Sequence, residues 1–323
     1  MKEHINNKNE FSNEKENNSS LLKRLYIYQK ERFPLLGHGI LITAFSFSAI
    51  SYSRISRGES NFVSMKAFLI GIFTTITLFL LVRIFDEFKD AKDDAAYRKN
   101  LPVPRGLVKL SELRTIAIIV IVLQIAINAF FFPKMLLLYA LVMVYLFFMT
   151  KEFFIEEWLR KNQIWYVVSH MFIIPLVDVY ASGLDWLLEN EAAPKGLLFF
   201  FAVSYMNGVV LEIGRKIKIK EDEAEGVLTY SGLLGAKKAT SLWILILFCT
   251  YLLSLVASYF ADYGNLGFII LTVFFVIFLI PAFFFLAHQT KKSAKAIEIS
   301  SGLWTIMMYF TLGAIPMIKN LIS

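Results

Sequence analysis

The feature that most constrains this chain is a series of nine apolar stretches, each near the length a helix needs to cross a bilayer. A helix rises about 1.5 Å per residue, so roughly 17 to 25 apolar residues cover about 30 Å of hydrocarbon. The stretches lie near residues 34–53, 63–85, 113–132, 135–150, 163–181, 196–213, 240–261, 266–288 and 300–318. None shows the period-two alternation of barrel strands, and in lipid only helices and closed barrels satisfy every backbone group. With 57% hydrophobic and 18% charged residues, the chain carries too much apolar surface for a water-soluble core. The expected fold class is an all-α polytopic membrane protein with about nine transmembrane helices. The fifth stretch is the least regular, because it contains His170, Pro175 and Asp178.

The formal net charge is +7, but the basic residues sit between apolar runs and form no soluble, aromatic-interleaved face, which argues against nucleic acid as a partner. Topology accounts for them. About 27 of the 33 Lys and Arg fall in the N-terminal tail and the 83–114, 151–161, 214–238 and 291–295 segments, all on one side of an alternating path. That side is the cytoplasm, so the N-terminus is expected inside and the C-terminus outside. The polar Asn/Glu/Lys-rich residues 1–20 are expected to be a disordered tail, and residues 21–323 a single transmembrane domain. The only cysteine, Cys249, lies inside an apolar run, so no disulfide framework or cysteine metal site is expected. The expected location is integral in a membrane, the cytoplasmic (inner) one, since nothing in the tail specifies an organelle.

Two cytoplasmic connections, after the second and sixth stretches, are acidic as well as basic. In the first, Asp86, Asp90 and Asp94 recur every fourth residue beside Glu87 and Asp93. On a helix this stacks three carboxylates on one face, a repulsive arrangement that an oxygen-seeking divalent cation such as Mg²⁺ relieves. A solvated helix end paired with Arg83, Lys89, Lys92 and Arg98 is the competing account. In the second, Glu221, Asp222, Glu223 and Glu225 precede Gly226, Thr229 and Gly235, a pattern that alone also suits a charged loop with a turn. Together, two acidic clusters on one side of a helical bundle can hold metal ions that bridge a diphosphate and neutralise the charge growing on it as it leaves.

The residues resemble the UbiA superfamily of intramembrane prenyltransferases. The family's first motif, N-D-x-x-D-x-x-x-D, appears as Asp86-Glu87-Phe88-Lys89-Asp90-Ala91-Lys92-Asp93-Asp94. The second, D-x-x-x-D-x-x-x-G-x-x-T-x-x-x-x-x-G, maps onto Lys218, Asp222, Gly226, Thr229 and Gly235, matching except at its first position. The resemblance covers nearly everything after the tail. It implies nine helices around a central apolar cavity, Mg²⁺ as cofactor, and transfer of an isoprenyl group from a prenyl diphosphate to a lipophilic acceptor such as an aromatic or quinone precursor. Asp86, Asp90 and Asp94 are then expected as metal ligands for one ion, and Asp222 with Glu221 for the other. Asp90, Asp94 and Asp222 carry the catalytic role. An ammonium cannot ligate Mg²⁺, so Lys218 departs from the motif; Glu221 or Glu212 could compensate, or Arg215, Lys216 and Lys218 could bind the diphosphate with a single metal. Leu101-Pro102 stands where the family commonly has Arg-Pro, leaving Arg98 or Arg105 for a phosphate contact, and Lys151 is a further candidate.

His170 and Asp178 fall on nearly one helical face and could serve as acid and base, or as satisfied buried groups. Glu212 could pair with Arg215 or Lys216, or belong to the site. The 31 Phe residues could shield a carbocation, though none can be singled out. Two other activities suit parts of the pattern: a UbiA-like terpene cyclase, which shares the first chemical step, and a transporter, against which the clustering of charge at one membrane face speaks. An inactive scaffold is disfavoured by the intact carboxylate triple.

Overall fold

The computed structural model describes residues 16–223, 227–261 and 263–322, and within them there is no strand. Eight helices are long and apolar enough to cross a membrane: Leu35–Ser56, Met65–Lys89, Leu110–Phe131, Gln163–Trp186, Gly196–Arg215, Ala236–Phe260, Gly264–Ala287 and Lys291–Ile322. The shorter apolar helix Met135–Thr150, of 16 residues, takes the fourth place in the order, so the expected nine spans appear with one of minimal length. We refer to them as the first to ninth spans. Every expected stretch matches its helix, overrunning it by at most two residues, and the largest difference is at the ninth. There the helix starts at Lys291, well before the apolar run, under a cap in which Thr290 and Ser293 exchange hydrogen bonds. Its charged first turns therefore extend it out of the apolar layer.

The fifth span is broken between Gln163–Met171 and Ile173–Trp186. Pro175 has no N–H to give to Met171, which removes one rung at the break. This span is central, 67% buried, whereas the eighth is 22% buried and turns most of its apolar surface outward, where lipid covers it. Packing is organised in two halves. Leu78, Leu81, Val142 and Tyr180 belong to a core among the second to fifth spans, and Val210, Trp243, Phe285 and Trp304 to one among the sixth to ninth. Tyr52, Phe200 and Tyr309 join the first, sixth and ninth spans between them.

Several polar side chains in the spans pair across helices, as a medium without water favours. Gln124 donates to the Thr77 hydroxyl at 2.7 Å and accepts from the Tyr139 hydroxyl at 2.9 Å, while the Tyr180 hydroxyl donates to Asn128 at 2.7 Å. These bonds tie the second, third, fourth and fifth spans. At the outer end, Asp185 is wholly buried and accepts from Ser53 at 2.6 Å, Arg54 at 3.0 Å and Arg57 at 2.7 Å.

At the end where the basic residues gather, helix Leu21–Arg32 lies ahead of the first span and is anchored at both ends. Arg24 pairs with Glu112 at 2.6 Å, and Arg32 with buried Glu87 at 2.6 Å. Of the tail expected to be disordered, residues 1–15 lie outside the described residues; Asn17 is ordered enough to donate to the Arg105 carbonyl at 2.8 Å. An open apolar groove of about 620 Å³ lies on the surface between the first and ninth spans, edged by Phe68 of the second, with Ile40, Phe47, Phe310 and Ile318 among its walls.

Candidate active site

The carboxylate stair is built by backbone hydrogen bonds that continue through a junction. The second span ends at Lys89, Asp90 closes it, and helix Ala91–Tyr97 starts from the same residue. Even so, the Asp90 N–H donates to the Asp86 carbonyl and the Asp94 N–H to the Asp90 carbonyl, each at 2.8 Å. Asp86, Asp90 and Asp94 therefore share one face, as their spacing requires. Burial pushes the Asp90 carboxyl above its ordinary range, Asp86 and Asp94 add to the shift, and Lys89 opposes it. Glu87 does not join the stair. Its carboxylate is buried and held by Arg32 and by Arg83 at 3.1 Å, so this motif position docks the N-terminal helix.

Lys89 is the hub of this end of the bundle. Its ammonium donates to the Tyr166 hydroxyl at 2.8 Å and lies 3.6 Å from Asp86, 3.9 Å from Asp90 and 3.6 Å from Glu152. Glu152 reaches it from a turn in which Glu152, Phe153 and Phe154 all have positive φ, of 48°, 53° and 62°. Such conformations strain non-glycine residues by about 1–3 kcal/mol each and persist where surrounding contacts fix them. Here the fixing contacts are Lys89, His170 with Nε2 at 3.1 Å, and the edge-on packing of Phe153 against Tyr145. Burial favours the neutral form of Glu152, but His170 and Lys89 outweigh it and hold its carboxyl below the usual range.

The second acidic segment packs as a capped loop. Thr229 caps helix Tyr230–Leu234 by accepting from the Gly232 N–H at 3.0 Å and donates to Glu223, which also accepts from Ser231 at 2.8 Å. Asp222 pairs with Lys291 at 2.9 Å, and Glu221 is exposed. Lys218 lies 3.7 Å from Glu298, while Arg215 and Lys216 both pair with Glu212, the latter at 2.7 Å. Gly226 and Glu225 lie outside the described residues. Tyr230 is buried beside Lys216, whose ammonium lies 6.0 Å from its ring centre, and burial pushes its phenol up, with Glu212 adding to this and Arg215 opposing.

The remaining expected residues are placed less uniformly. Arg98 pairs with Asp94 at 3.1 Å and so stays at the stair. Arg105 does not: its guanidinium is held by Glu31 at 2.7 Å and by the Asn100 carbonyl at 2.7 Å, on the N-terminal helix side. Lys151 is exposed at the end of the fourth span. His170 and Asp178 do not act as a pair. The helix break separates them, His170 faces Glu152 and stacks on Tyr166, and Asp178 bonds Ser204 and accepts from the Tyr309 hydroxyl at 2.8 Å.

Among the described residues no three His, Cys, Asp or Glu side chains close round one point. Of the stair, Asp86 and Asp90 keep partly exposed oxygen donors, while Asp94 is buried and paired with Arg98. That chemistry suits Mg²⁺, which commonly takes one or two carboxylates and completes its shell with water and phosphate oxygens. The upward push on Asp90 comes first from burial, with Asp86 and Asp94 adding to it, and a cation at the stair would oppose it. Lys89 and Arg83 stand 3.6–3.9 Å from the Asp86 and Asp90 oxygens, longer than direct hydrogen bonds, and leave those oxygens open. The second segment offers fewer donors, since Asp222 already faces Lys291.

Residues 32–310 match the model of the UbiA prenyltransferase family. A solved structure described as that of digeranylgeranylglyceryl phosphate synthase in membranes has a TM-score of 0.62 and 18% sequence identity, covering 91% of this chain and 99% of that one. At that identity the likeness establishes the fold alone. No curated protein sequence matches the chain.

Proposed function

The chain belongs to the UbiA prenyltransferase family and is an intramembrane prenyltransferase; from that premise we propose that it joins an isoprenyl group to a lipophilic acceptor of the aromatic or quinone-precursor class, at the cytoplasmic end of the bundle. The observation that carries this reading is the Asp86–Asp90–Asp94 stair, held in register by backbone bonds, with Lys89 joined to Tyr166 of the fifth span beside it.

In this reading Asp86, Asp90 and Asp94 hold one Mg²⁺, and Asp222, with exposed Glu221 beside it, contributes to a second. Mg²⁺ supplies charge neutralisation for the departing diphosphate. Arg98, Arg215, Lys216 and Lys218 lie at the same end as donors for phosphate oxygens, with exposed Lys151 at its rim. Arg105 is left out, because Glu31 and Asn100 occupy its donors. The bond between the first prenyl carbon and the diphosphate oxygen breaks, the acceptor supplies the electron pair for the new bond, and the acceptor's proton leaves. The apolar groove between the first and ninth spans is the place proposed for the prenyl chain. The excess of Lys and Arg at this end supports a cytoplasmic setting for it, and the cytoplasmic membrane is the proposed location.

The test is incubation of purified protein with Mg²⁺, labelled prenyl diphosphates of graded length and a membrane-lipid extract, comparing wild type with Asp90→Ala. Product that requires Mg²⁺, extract and Asp90 supports the proposal. Hydrocarbon or terpene alcohol formed without extract would replace it with a cyclase.

A further inference from the structure

Asn207, in the sixth span, is 1% exposed, and neither its Oδ1 nor its Nδ2 has a hydrogen-bond partner. Among the described residues it is the only side chain with two buried polar atoms left open. A primary amide has two donors and an acceptor oxygen, and buried groups of this kind are almost always satisfied. Inside a bilayer no bulk water can supply the partners. The other amides of the spans show what satisfaction looks like here: Gln124 and Asn128 are bonded to Thr77, Tyr139, Thr74 and Tyr180.

The helix geometry says where the open amide points. Ser204 and Gly208 face the fifth span, the first through its bond to Asp178 and the second through close approach to Met171 and Ile174. Gly214 faces Trp243 and Ser301 of the seventh and ninth spans. At about 100° per residue, Asn207 falls on the arc between those two lines. It also lies seven residues from Phe200, nearly two turns, so both point the same way. Phe200 points to Tyr52 of the first span and Tyr309 of the ninth, with ring centroids at 4.7 and 5.6 Å. Leu211, one turn further along the same face, keeps partial exposure although it points inward. Asn207 therefore faces the interior enclosed by the first, fifth and ninth spans, about 12 Å along the helix from its cytoplasmic end.

We propose that Asn207 is a binding residue for a neutral oxygen, hydroxyl or keto, on the acceptor, held inside the bundle below the diphosphate site; this rests on the prenyltransferase assignment. The amide presents donor and acceptor side by side, which matches a hydroxyl or keto oxygen and gives an anion no counter-charge. The Asp178 carboxyl, bonded to Ser204 one turn outward, further disfavours a phosphate at this depth. Because the reacting carbon must stand near the diphosphate, the recognised oxygen is one on the far side of the acceptor from its reactive position. A ring with a second oxygen has that shape.

The experiment needs no turnover. Wild type, Asn207→Leu and Asn207→Ser, each purified in detergent, are compared for thermal stability and for binding of 1-naphthol against naphthalene, which share a ring and differ by one hydroxyl. Wild type is expected to favour 1-naphthol by about threefold to tenfold, the range of one neutral hydrogen bond. Asn207→Leu should lose the preference and melt higher than wild type, because it removes an unsatisfied amide while keeping similar volume; Asn207→Ser should keep part of the preference. A lower melting point for Asn207→Leu would mark the amide as structural and overturn the proposal, as would a wild-type protein that does not distinguish the two probes. Failure of the prenyltransferase assignment reads out separately, as absence of Mg²⁺-dependent binding of geranylgeranyl diphosphate to wild type.

Discussion

Two glycine substitutions in the ninth span should change stability in opposite directions. Gly313 lies in a π-helical turn, Phe310–Ala314, packed against the first span. A Cβ on it would stand 2.7 Å from both the Cα and the carbonyl carbon of Ser48, and nearer still to the carbonyl oxygen. Carbon atoms prefer about 3.5–4.0 Å, so the two backbones must separate by about 1 Å, with no flexible side chain to yield instead. The cost of Gly313→Ala therefore belongs near the top of the overpacking range, about 2–3 kcal/mol. Gly302, in the same helix, has nothing within 4 Å of its would-be Cβ. Gly302→Ala only removes backbone freedom from the unfolded chain and should stabilise by about 0.5–1 kcal/mol. Thermal unfolding of both variants in one detergent, followed by fluorescence of the protein's Trp residues, measures the pair directly. Gly313→Ala should melt several degrees below wild type and Gly302→Ala at or above it. A Gly313→Ala protein as stable as wild type, or two variants shifted alike, would refute the close approach of the first and ninth spans.

Asp185→Ala should cost about 3 kcal/mol, the low end for breaking a buried ion pair, because Glu189 stays beside Arg54 and Arg57; a loss below about 1 kcal/mol in chemical unfolding would contradict this. Asp90 binds its proton more tightly in the folded protein than in the unfolded chain, so its contribution favours folding at acid pH and fades as pH rises through the elevated value. Mg²⁺ needs the carboxylate, so its thermal stabilisation should be small at acid pH and grow through that same range; Asp90→Asn should flatten the growth, and a pH-independent Mg²⁺ effect would count against Asp90 as a ligand. Glu87→Gln should leave Arg32 without its charged partner and speed amide exchange in Leu21–Arg32, with less loss of transfer than Asp90→Ala; unchanged exchange would separate that helix from the motif.

Much of the site was legible because its chemistry is local. Asp86, Asp90 and Asp94 need only the helical period to share a face, and the second span supplies it. Glu87 looked like part of the same motif, yet its role is set by Arg32, which lies in a different helix. Lys89 was legible only as a partner for the stair; its bonds to Tyr166 and Glu152 gave no signal, because no spacing reveals that a left-handed turn after the fourth span aims a carboxylate at a lysine ending the second. Arg105 and the supposed His170–Asp178 pair went the other way: each looked available in one dimension and is held by other partners in three.

The sequence by itself determined that this chain spans a membrane as helices, that its basic residues gather at one end of them, and where the acidic segments stand. Those properties follow from the length of apolar runs and the side on which charge accumulates, and the bilayer enforces both on any chain of this composition. The tertiary structure decided which polar groups are satisfied. Gln124, Asn128, Asp185 and Asn207 are alike in sequence as polar residues near or within apolar segments. Three are bonded to neighbouring spans and one is not, because a buried hydrogen bond depends on what a distant helix places opposite it.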